Sequence, residues 1–343
     1  MDRVWIIMAV VLAFAITSIS GMWLLPMLRK LHFGQTILDI GPRWHKNKQG
    51  TPTMGGIMFI FGIVLSVVVG FLVMQMGAAS APRPDGDAVK ARLFYGLMLA
   101  IAFGLIGFVD DYLKVVRKEN EGLTPRQKLF LQLLFGITYL ALMYISGNRS
   151  TALVIPFIGV LDIGILYWPF ALFAILALAN AVNFTDGLDG LLSSVTFVAA
   201  IAYMILTAIL GLWEMELMAA ALAGGCLGFL VWNFYPARVF MGDTGSLFLS
   251  GIIIALCFGT GLPLFVLLIG IIYVVEMASV VIQMTYFKIT HGRRIFKMSP
   301  IHHHFELCGY TEVQIVVAFS LVTAAGSALA ILAALQMWTA SIP

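Results

Sequence analysis

Long apolar stretches separated by short polar segments dominate the chain. An apolar run of about 20 residues can cross a hydrocarbon core of about 30 Å as an α-helix. Ten such runs are predicted, and the two-residue alternation typical of a membrane β-barrel is absent. The predicted spans are 4–28, 54–76, 93–113, 128–146, 166–182, 191–210, 216–233, 245–259, 262–287 and 313–337. The pattern therefore predicts an all-α polytopic membrane protein with ten transmembrane helices.

The composition supports a membrane protein with one domain. Of the 343 residues, 61% are hydrophobic and only 11% are charged, whereas soluble domains carry about 25% charged residues. No linker is long or biased enough to separate a second domain, so residues 1–343 are predicted to form a single integral-membrane domain. Cys226, Cys257 and Cys308 are scattered, which indicates neither a disulfide framework nor a zinc site.

Basic residues are distributed unevenly between the connecting loops. Fifteen Lys and Arg residues follow odd-numbered spans, and four follow even-numbered spans. Because cytoplasmic loops carry an excess of Lys and Arg, the odd loops are predicted to be cytoplasmic and both termini external. These loops suit anionic lipid headgroups or a phosphate-bearing substrate, and nothing indicates a nucleic-acid partner. The outer segment 147–165 combines apolar residues with Gly and Pro, which predicts a small hairpin.

Two adjacent acids, Asp110 and Asp111, end the third span. Carboxylates are unfavourable at a helix C-terminus and near the hydrocarbon boundary, and two neighbouring ones repel each other. A divalent cation or a proton would relieve this repulsion. The alternative is a solvated helix end, with Lys114 and Lys118 as partners at positions i+4 and i+7. We favour a functional pair.

Polar residues recur every third position where the fifth span ends. Asn180, Asn183, Asp186 and Asp189 would share one face if the helix continued through them. An interhelical polar stripe is the alternative, although such stripes usually use Ser, Thr or Asn rather than two acids. The spacing therefore predicts a functional face.

The segment Met241–Ser246 precedes the eighth span and carries another acid between glycines. Asp243 or Thr244 could simply cap the helix. The same position suits a hard cation, while neighbouring backbone amides could face a phosphate. Oxygen-only ligands favour Mg²⁺ or Mn²⁺ over zinc. Because other acidic sites fall on the same predicted face, we favour the functional interpretation.

Two basic segments offer further candidates. Lys48 lies among turn-forming residues and could reach a phosphate, or it could anchor the inner leaflet. His302, His303 and His304 follow Pro300 in a basic loop. Adjacent histidines do not share a helix face, which argues against a zinc site. One or two could contact phosphate or shuttle protons, and a solvated surface loop is the alternative.

Taken together, these motifs resemble one family over essentially the whole chain. The pair Asp110-Asp111, Asn183–Gly190 (Asn-x-x-Asp-Gly-x-Asp-Gly) and Gly242–Ser246 (Gly-Asp-Thr-Gly-Ser) are similar to those of the polyprenyl-phosphate N-acetylhexosamine 1-phosphate transferases. Pro300–Glu306 resembles the branch of phospho-N-acetylmuramoyl-pentapeptide transferases in particular.

That resemblance implies a reaction and its participants. UDP-MurNAc-pentapeptide and undecaprenyl phosphate would give lipid I and UMP, with Mg²⁺ as cofactor, on the cytoplasmic face of the bacterial cytoplasmic membrane. Asp243 would bind the metal and Asp110 would be the candidate base, and the protein would be a homodimer. The implied catalytic residues are Asp110, Asp111, Asp243 and His302. The implied substrate-binding residues are Lys48, Lys114, Lys118, Asn183, Asp186, Asp189, Phe240, Gln283, His303 and His304.

Three other functions compete with this one. A GlcNAc-1-phosphate transferase acting on polyprenyl phosphate would share most of the motifs, but the triple-histidine segment disfavours it. A cation-coupled transporter should place its acids near mid-membrane between pseudo-symmetric halves, whereas these acids lie at the inner ends of the spans. A structural scaffold would leave five costly acids unexplained.

Overall fold

The architecture is known from a computed structural model, which describes residues 4–30, 48, 50–77, 86–117 and 121–340. The helices are α1 (Val4–Lys30), α2 (Gly56–Gly77), α3 (Gly86–Arg117), α4 (Pro125–Ile145), α5 (Tyr167–Phe184), α6 (Leu191–Ile209), α7 (Trp213–Asn233), α8 (Gly242–Gly259), α9 (Val266–Ile269), α10 (Ile271–Ile289), α11 (Ile301–Leu307) and α12 (Glu312–Ala340). Two short strands, β1 (Ala152–Ile155) and β2 (Gly159–Asp162), lie between α4 and α5.

The predicted transmembrane architecture is confirmed within these ranges. Ten helices are long and apolar enough to cross a membrane, namely all except α9 and α11. Helices α3 and α7 begin several residues before the predicted apolar runs, because each starts with a polar first turn that carries acids. Acids there are favourable, since a helix N-terminus bears partial positive charge.

The predicted single span 262–287 is wrong in its first part. A short 3-10 turn (Pro263–Phe265) and α9 precede Gly270, and only then does α10 begin. The backbone at Gly270 has φ −102° and ψ 27°, which ends α9 and starts α10. Hydropathy does not detect this break, because Gly270 lies in an uninterrupted apolar sequence.

The predicted outer hairpin is confirmed. Strands β1 and β2 pair antiparallel, with Ala152 opposite Asp162 and Ile155 opposite Gly159. The Thr151 hydroxyl and the Gly164 amide both donate to Asp162, and these hydrogen bonds hold the pKa of that exposed carboxyl below its usual range.

Helix α8 forms the centre of the bundle and packs most extensively against α3. Nearly every residue of α8 is buried. At the inner end of this contact Gly107 faces the backbone of Asp243, and a side-chain carbon at Gly107 would overlap it. Small residues allow transmembrane helices to approach closely. This contact brings the Asp110-Asp111 end of α3 against the start of α8.

Candidate active site

Three carboxylates from two helices meet where α3 ends and α8 begins. Oxygen atoms of Asp110, Asp111 and Asp243 all lie within 4.8 Å of one another. Asp110 and Asp111 are buried, whereas the side chain of Asp243 remains 21% exposed. Asp243 is therefore the member of this acidic cluster that an incoming group can reach.

Asp111 caps α8 from outside that helix. Its Oδ2 accepts hydrogen bonds from the backbone amide of Thr244 at 2.8 Å and from the Thr244 hydroxyl at 2.7 Å. Its Oδ1 accepts from the Asp243 amide at 3.2 Å. A carboxylate at a helix N-terminus satisfies free amides and complements the helix dipole. The cap expected of Asp243 or Thr244 is thus supplied by α3, which leaves the carboxylate of Asp243 available.

Two ammonium groups lie against this cluster. Lys114 Nζ is 2.6 Å from Asp110 Oδ2 and 3.4 Å from Asp243 Oδ2. Lys128 Nζ is 3.0 Å from Asp110 Oδ2 and 2.6 Å from Asp243 Oδ2. Lys114 was predicted at this position, whereas Lys118 lies outside the described residues. Lys128 was not predicted as a site residue, because it stands at the start of the next span.

The chemistry of this cluster suits a hard divalent cation. All its candidate ligands are carboxylate oxygens, which Mg²⁺ prefers. Asp110 Oδ1 accepts the Leu123 amide at 2.7 Å. Asp110 Oδ2 contacts both lysines, but it accepts no well-directed hydrogen bond from any residue that the structure describes. The lysines supply the positive charge that a metal would supply.

The end of α5 adds polar groups to the cluster. Asn183 Nδ2 donates to Asp243 Oδ1 at 3.2 Å and to Ser246 Oγ at 2.7 Å. Asn180 instead donates to Gln132 at 3.1 Å, so it belongs to an interhelical contact. The predicted single face through Asp186 and Asp189 is wrong, because α5 ends at Phe184 and the chain continues as a turn. Glycines that follow the helix allow that turn.

The turn that follows α5 carries Asp186 and Asp189. It links the acidic cluster to a second charged group, which is formed by Lys48, Asp189 and Glu312. Asp186 is half-buried, and burial together with the negative charges of Asp243 and Asp111 raises the pKa of its carboxyl to about 8. The charge of Asp189 contributes in the same direction. The carboxyl of Asp186 is therefore close enough to interact electrostatically with the acidic cluster and with Asp189.

Lys48 holds this second group together. Its Nζ lies 2.7 Å from Asp189 Oδ1 and 2.6 Å from Glu312 Oε2. The same Glu312 oxygen accepts the backbone amide of Asp189 at 3.0 Å, and Asp189 Oδ2 accepts the Ala237 amide at 2.8 Å. Four separate segments of the chain are thus joined by one ammonium and two carboxylates. Glu312 was not predicted as a site residue, because an acid at the start of a span is common in the first turn of a helix.

The three histidines lie on the short helix α11 rather than in a solvated loop. His302 is 1% exposed, and its Nδ1 lies 3.0 Å from Oε1 of Glu276 on α10. His303 Nδ1 pairs with Glu306 at 2.7 Å. The surface-loop alternative is therefore wrong for His302. The sequence signal for Glu276 was a lone acid inside an apolar run, which marks function in membrane helices.

Helix α11 also reaches the turn after α5. Gly187 lies against the His302 ring, and a side-chain carbon at Gly187 would overlap the ring atom Nε2. The close approach requires glycine at this position. His304, by contrast, accepts the Lys297 amide through Nδ1 at 3.1 Å and stacks edge-on with Phe296.

Gln283 and Phe240 both support loops of the site. Gln283 Oε1 accepts the amides of Ile295 and Phe296 at 3.1 and 3.0 Å. The backbone of Phe240 pairs with Pro52 and Gly55, while its side chain is half-buried. Contact of either side chain with a nucleoside stays a prediction.

Two family models match parts of this chain. Residues 93–261 match the model of glycosyl transferase family 4, and residues 48–60 match phospho-N-acetylmuramoyl-pentapeptide-transferase signature 1. These ranges contain Lys48 and all three acids of the cluster.

Curated relatives match over almost the whole chain. The phospho-N-acetylmuramoyl-pentapeptide-transferase of Acetivibrio thermocellus is 44% identical over 91% of this chain and 90% of its own length. The enzyme of the same name from Clostridium perfringens strain 13 is 44% identical over 93% of this chain and 95% of its own. That of Clostridioides difficile strain 630 is 44% identical over 91% and 92%. The chain therefore belongs to the family of phospho-N-acetylmuramoyl-pentapeptide transferases.

Proposed function

We propose that this protein transfers phospho-MurNAc-pentapeptide from UDP-MurNAc-pentapeptide to undecaprenyl phosphate, giving lipid I and UMP in peptidoglycan synthesis. The observation that carries the proposal is the meeting of Asp110, Asp111 and Asp243 beside Lys114 and Lys128. Both substrates present phosphate to the enzyme, and such transfer depends on neutralising charge and aligning the reacting groups. The membership in the transferase family supports the choice of these substrates.

The reaction exchanges one phosphorus–oxygen bond for another. An oxygen of the lipid phosphate attacks the phosphorus that carries the sugar, and a new bond forms. The bond from that phosphorus to UMP breaks, and UMP leaves with the electron pair as an anion. The second pKa of a phosphate monoester is about 6, so the attacking oxygen is mostly ionised at neutral pH. Alignment therefore matters more than proton removal.

The acidic cluster would hold Mg²⁺ as the cofactor. Asp243 is the proposed ligand because its carboxylate is partly exposed, and Asp110 and Asp111 stand beside it. When bound, the ion neutralises phosphate charge. Lys114 and Lys128 contact the same carboxylates, so a bound cation would free their ammonium groups to hold phosphate oxygens.

Asp110 is the proposed base near the lipid phosphate, but its surroundings favour a second role. Its carboxylate is fully buried and faces Lys114, Lys128 and the Leu123 amide. In that position it orients both ammonium groups toward Asp243. The remaining predicted residues, including Lys48, Asn183, Asp186, Asp189 and the histidines, would surround the two substrates.

We place this site at the cytoplasmic face of the bacterial cytoplasmic membrane, with both termini external. The distribution of Lys and Arg supports the orientation. The chain would act as a single domain, and a homodimer is the proposed assembly.

One experiment tests the proposed function directly. Purified protein in detergent receives labelled UDP-MurNAc-pentapeptide, undecaprenyl phosphate and Mg²⁺, and release of UMP is measured. We expect UMP and a lipid-linked product in equal amounts, and neither in excess chelator. UMP release without lipid phosphate, or full activity in chelator, would overturn the proposal.

UDP-GlcNAc serves as the control substrate. We expect no turnover, because the lactyl-peptide offers binding energy that GlcNAc lacks, and remote contacts align the reacting groups. Equal use of UDP-GlcNAc would assign the protein to the sister activity. Ion flux in proteoliposomes without UMP release would favour a transporter.

A further inference from the structure

Glu276 is a buried acid for which the proposed reaction gives no role. It lies within the membrane helix α10 and is 0% exposed. A carboxylate in this environment costs free energy unless it is paired, and such residues in membrane proteins mark function. Its carboxyl has one hydrogen-bond partner among the described residues, the Nδ1 atom of His302 at 3.0 Å from Oε1. Its other oxygen, Oε2, is buried without a hydrogen-bond partner there.

His302 is oriented by that contact. An ionised carboxylate at Glu276 would accept a hydrogen bond from Nδ1–H, and that tautomer of the neutral ring would leave the lone pair on Nε2. Nε2 is buried, has no partner among the described residues, and lies directly against Gly187. Gly187 belongs to the turn that also carries Asp186 and Asp189. The free nitrogen therefore faces the turn between the two charged groups of the site.

The neighbouring histidine has a separate carboxylate. The rings of His302 and His303 lie 4.1 Å apart between centroids, but His303 pairs with Glu306 of its own helix. Glu276 comes from α10 instead, so its contact both joins α11 to α10 and sets the direction of one ring. A helix-to-helix anchor alone would not need a charged group, because an apolar contact serves as well or better.

We propose that Glu276 is a positioning residue that fixes the tautomer and direction of His302, so that Nε2 points at the substrate. This inference rests on the proposed function. Carboxylate–imidazole pairs do this in metal sites and in proteases, where the carboxylate acts through the ring rather than on the substrate. In metal sites, loss of such a partner typically lowers metal affinity or activity about 10- to 100-fold.

The test compares Glu276→Gln with a matched control, Ser279→Ala. Ser279 is buried on the same helix and donates to the backbone oxygen of Glu276, so its loss disturbs the same turn without touching the carboxylate. A glutamine keeps the volume, but its amide N–H can donate to Nδ1 and move the ring hydrogen to Nε2. We expect kcat to fall about 10- to 100-fold in Glu276→Gln. KM for the nucleotide substrate, the affinity for UDP and the melting temperature should match those of Ser279→Ala.

A second measurement reads the tautomer without any turnover. The chain has only 6 histidines, so ¹⁵N-histidine labelling gives few ring signals, and loss of a signal in His302→Gln identifies its own. We expect the Nδ1–H form in the wild type and the Nε2–H form in Glu276→Gln. The Nε2–H form in the wild type, wild-type kcat in Glu276→Gln, or a joint loss of kcat, UDP affinity and melting temperature would overturn the inference. Absence of UMP release by the wild type would instead overturn the proposed function, and the NMR result would still decide the role of Glu276.

Discussion

Replacing Lys128 with methionine should change how the acidic cluster responds to a divalent cation. Lys128 Nζ contacts both Asp110 and Asp243, and Lys114 is the other ammonium there within the described residues. Methionine keeps an apolar stem of similar length and removes the charge. The cluster then holds three carboxylates against one ammonium.

Two limits bound the cost to stability. Removing one partner of a fully buried ion pair costs about 3–5 kcal/mol, whereas a surface pair contributes about 0–1 kcal/mol. Asp110 is fully buried, but Lys128 is 27% exposed and Lys114 stays 2.6 Å from the same oxygen. We therefore expect a loss of about 2 kcal/mol in chelator, between the two limits. Bound Mg²⁺ should restore most of this loss, since it supplies the missing positive charge.

The same charge should govern metal affinity. Lys128 competes with a cation for Asp110 and Asp243. A unit charge about 4 Å away contributes several kcal/mol near a protein surface before screening by salt. The Lys128→Met protein should therefore bind Mg²⁺ about tenfold or more tightly than the wild type. The assay is the apparent melting temperature in detergent, measured in chelator and over a Mg²⁺ titration. Turnover should still fall, because a phosphate-binding ammonium is lost.

Lys90→Met provides the matched control. Lys90 is also a lysine at a membrane-helix end, but its partner Asp87 is exposed and lies 3.6 Å away. It should lose less than about 1 kcal/mol, equally with and without Mg²⁺. If Lys128→Met behaves in the same way, the lysines do not compete with a cation, and the reasoning fails.

Three further substitutions test other parts of the site. Asp243→Asn should lower UMP release by at least about 100-fold, because it removes the proposed metal ligand, while the melting temperature stays near that of the wild type. Glu312→Gln should lower the free energy of unfolding by about 1–2 kcal/mol, since Lys48 loses a charged hydrogen-bond partner; chemical denaturation measures this. Asp186→Asn should flatten the dependence of the melting temperature on pH in chelator. The raised pKa of Asp186 means that the folded protein binds this proton more tightly, so stability falls as pH rises from about 4 to about 8.

Each of these has a contrary outcome. Wild-type turnover in Asp243→Asn would exclude it as the metal ligand. Unchanged unfolding in Glu312→Gln would mean that Lys48 is held by Asp189 alone. An Asp186→Asn protein whose stability still falls with pH as in the wild type would show that another group carries the proton.

Some features of this protein follow from the sequence alone. A chain that crosses lipid must satisfy its backbone hydrogen bonds internally, as a helix does, so apolar runs of sufficient length identify the ten membrane helices locally. The motifs predicted Asp110, Asp111 and Asp243 as site residues, because acids at the ends of apolar spans are costly wherever the chain folds. The same property should have singled out Glu276. Lys114 was predicted from the family resemblance.

Tertiary structure alone decided which of these groups meet. The break at Gly270 and the end of α5 at Phe184 are set by packing and turn geometry, which hydropathy and three-residue spacing do not report. Lys128 reaches Asp110 because α4 returns beside α3, and Glu312 reaches Lys48 across 264 positions. The sequence by itself determines that a charged side chain within an apolar span raises the free energy of the folded protein, because this effect depends on the local environment. Helix packing determines which partner offsets that free energy, because contacts between distant segments exist only once the bundle has formed.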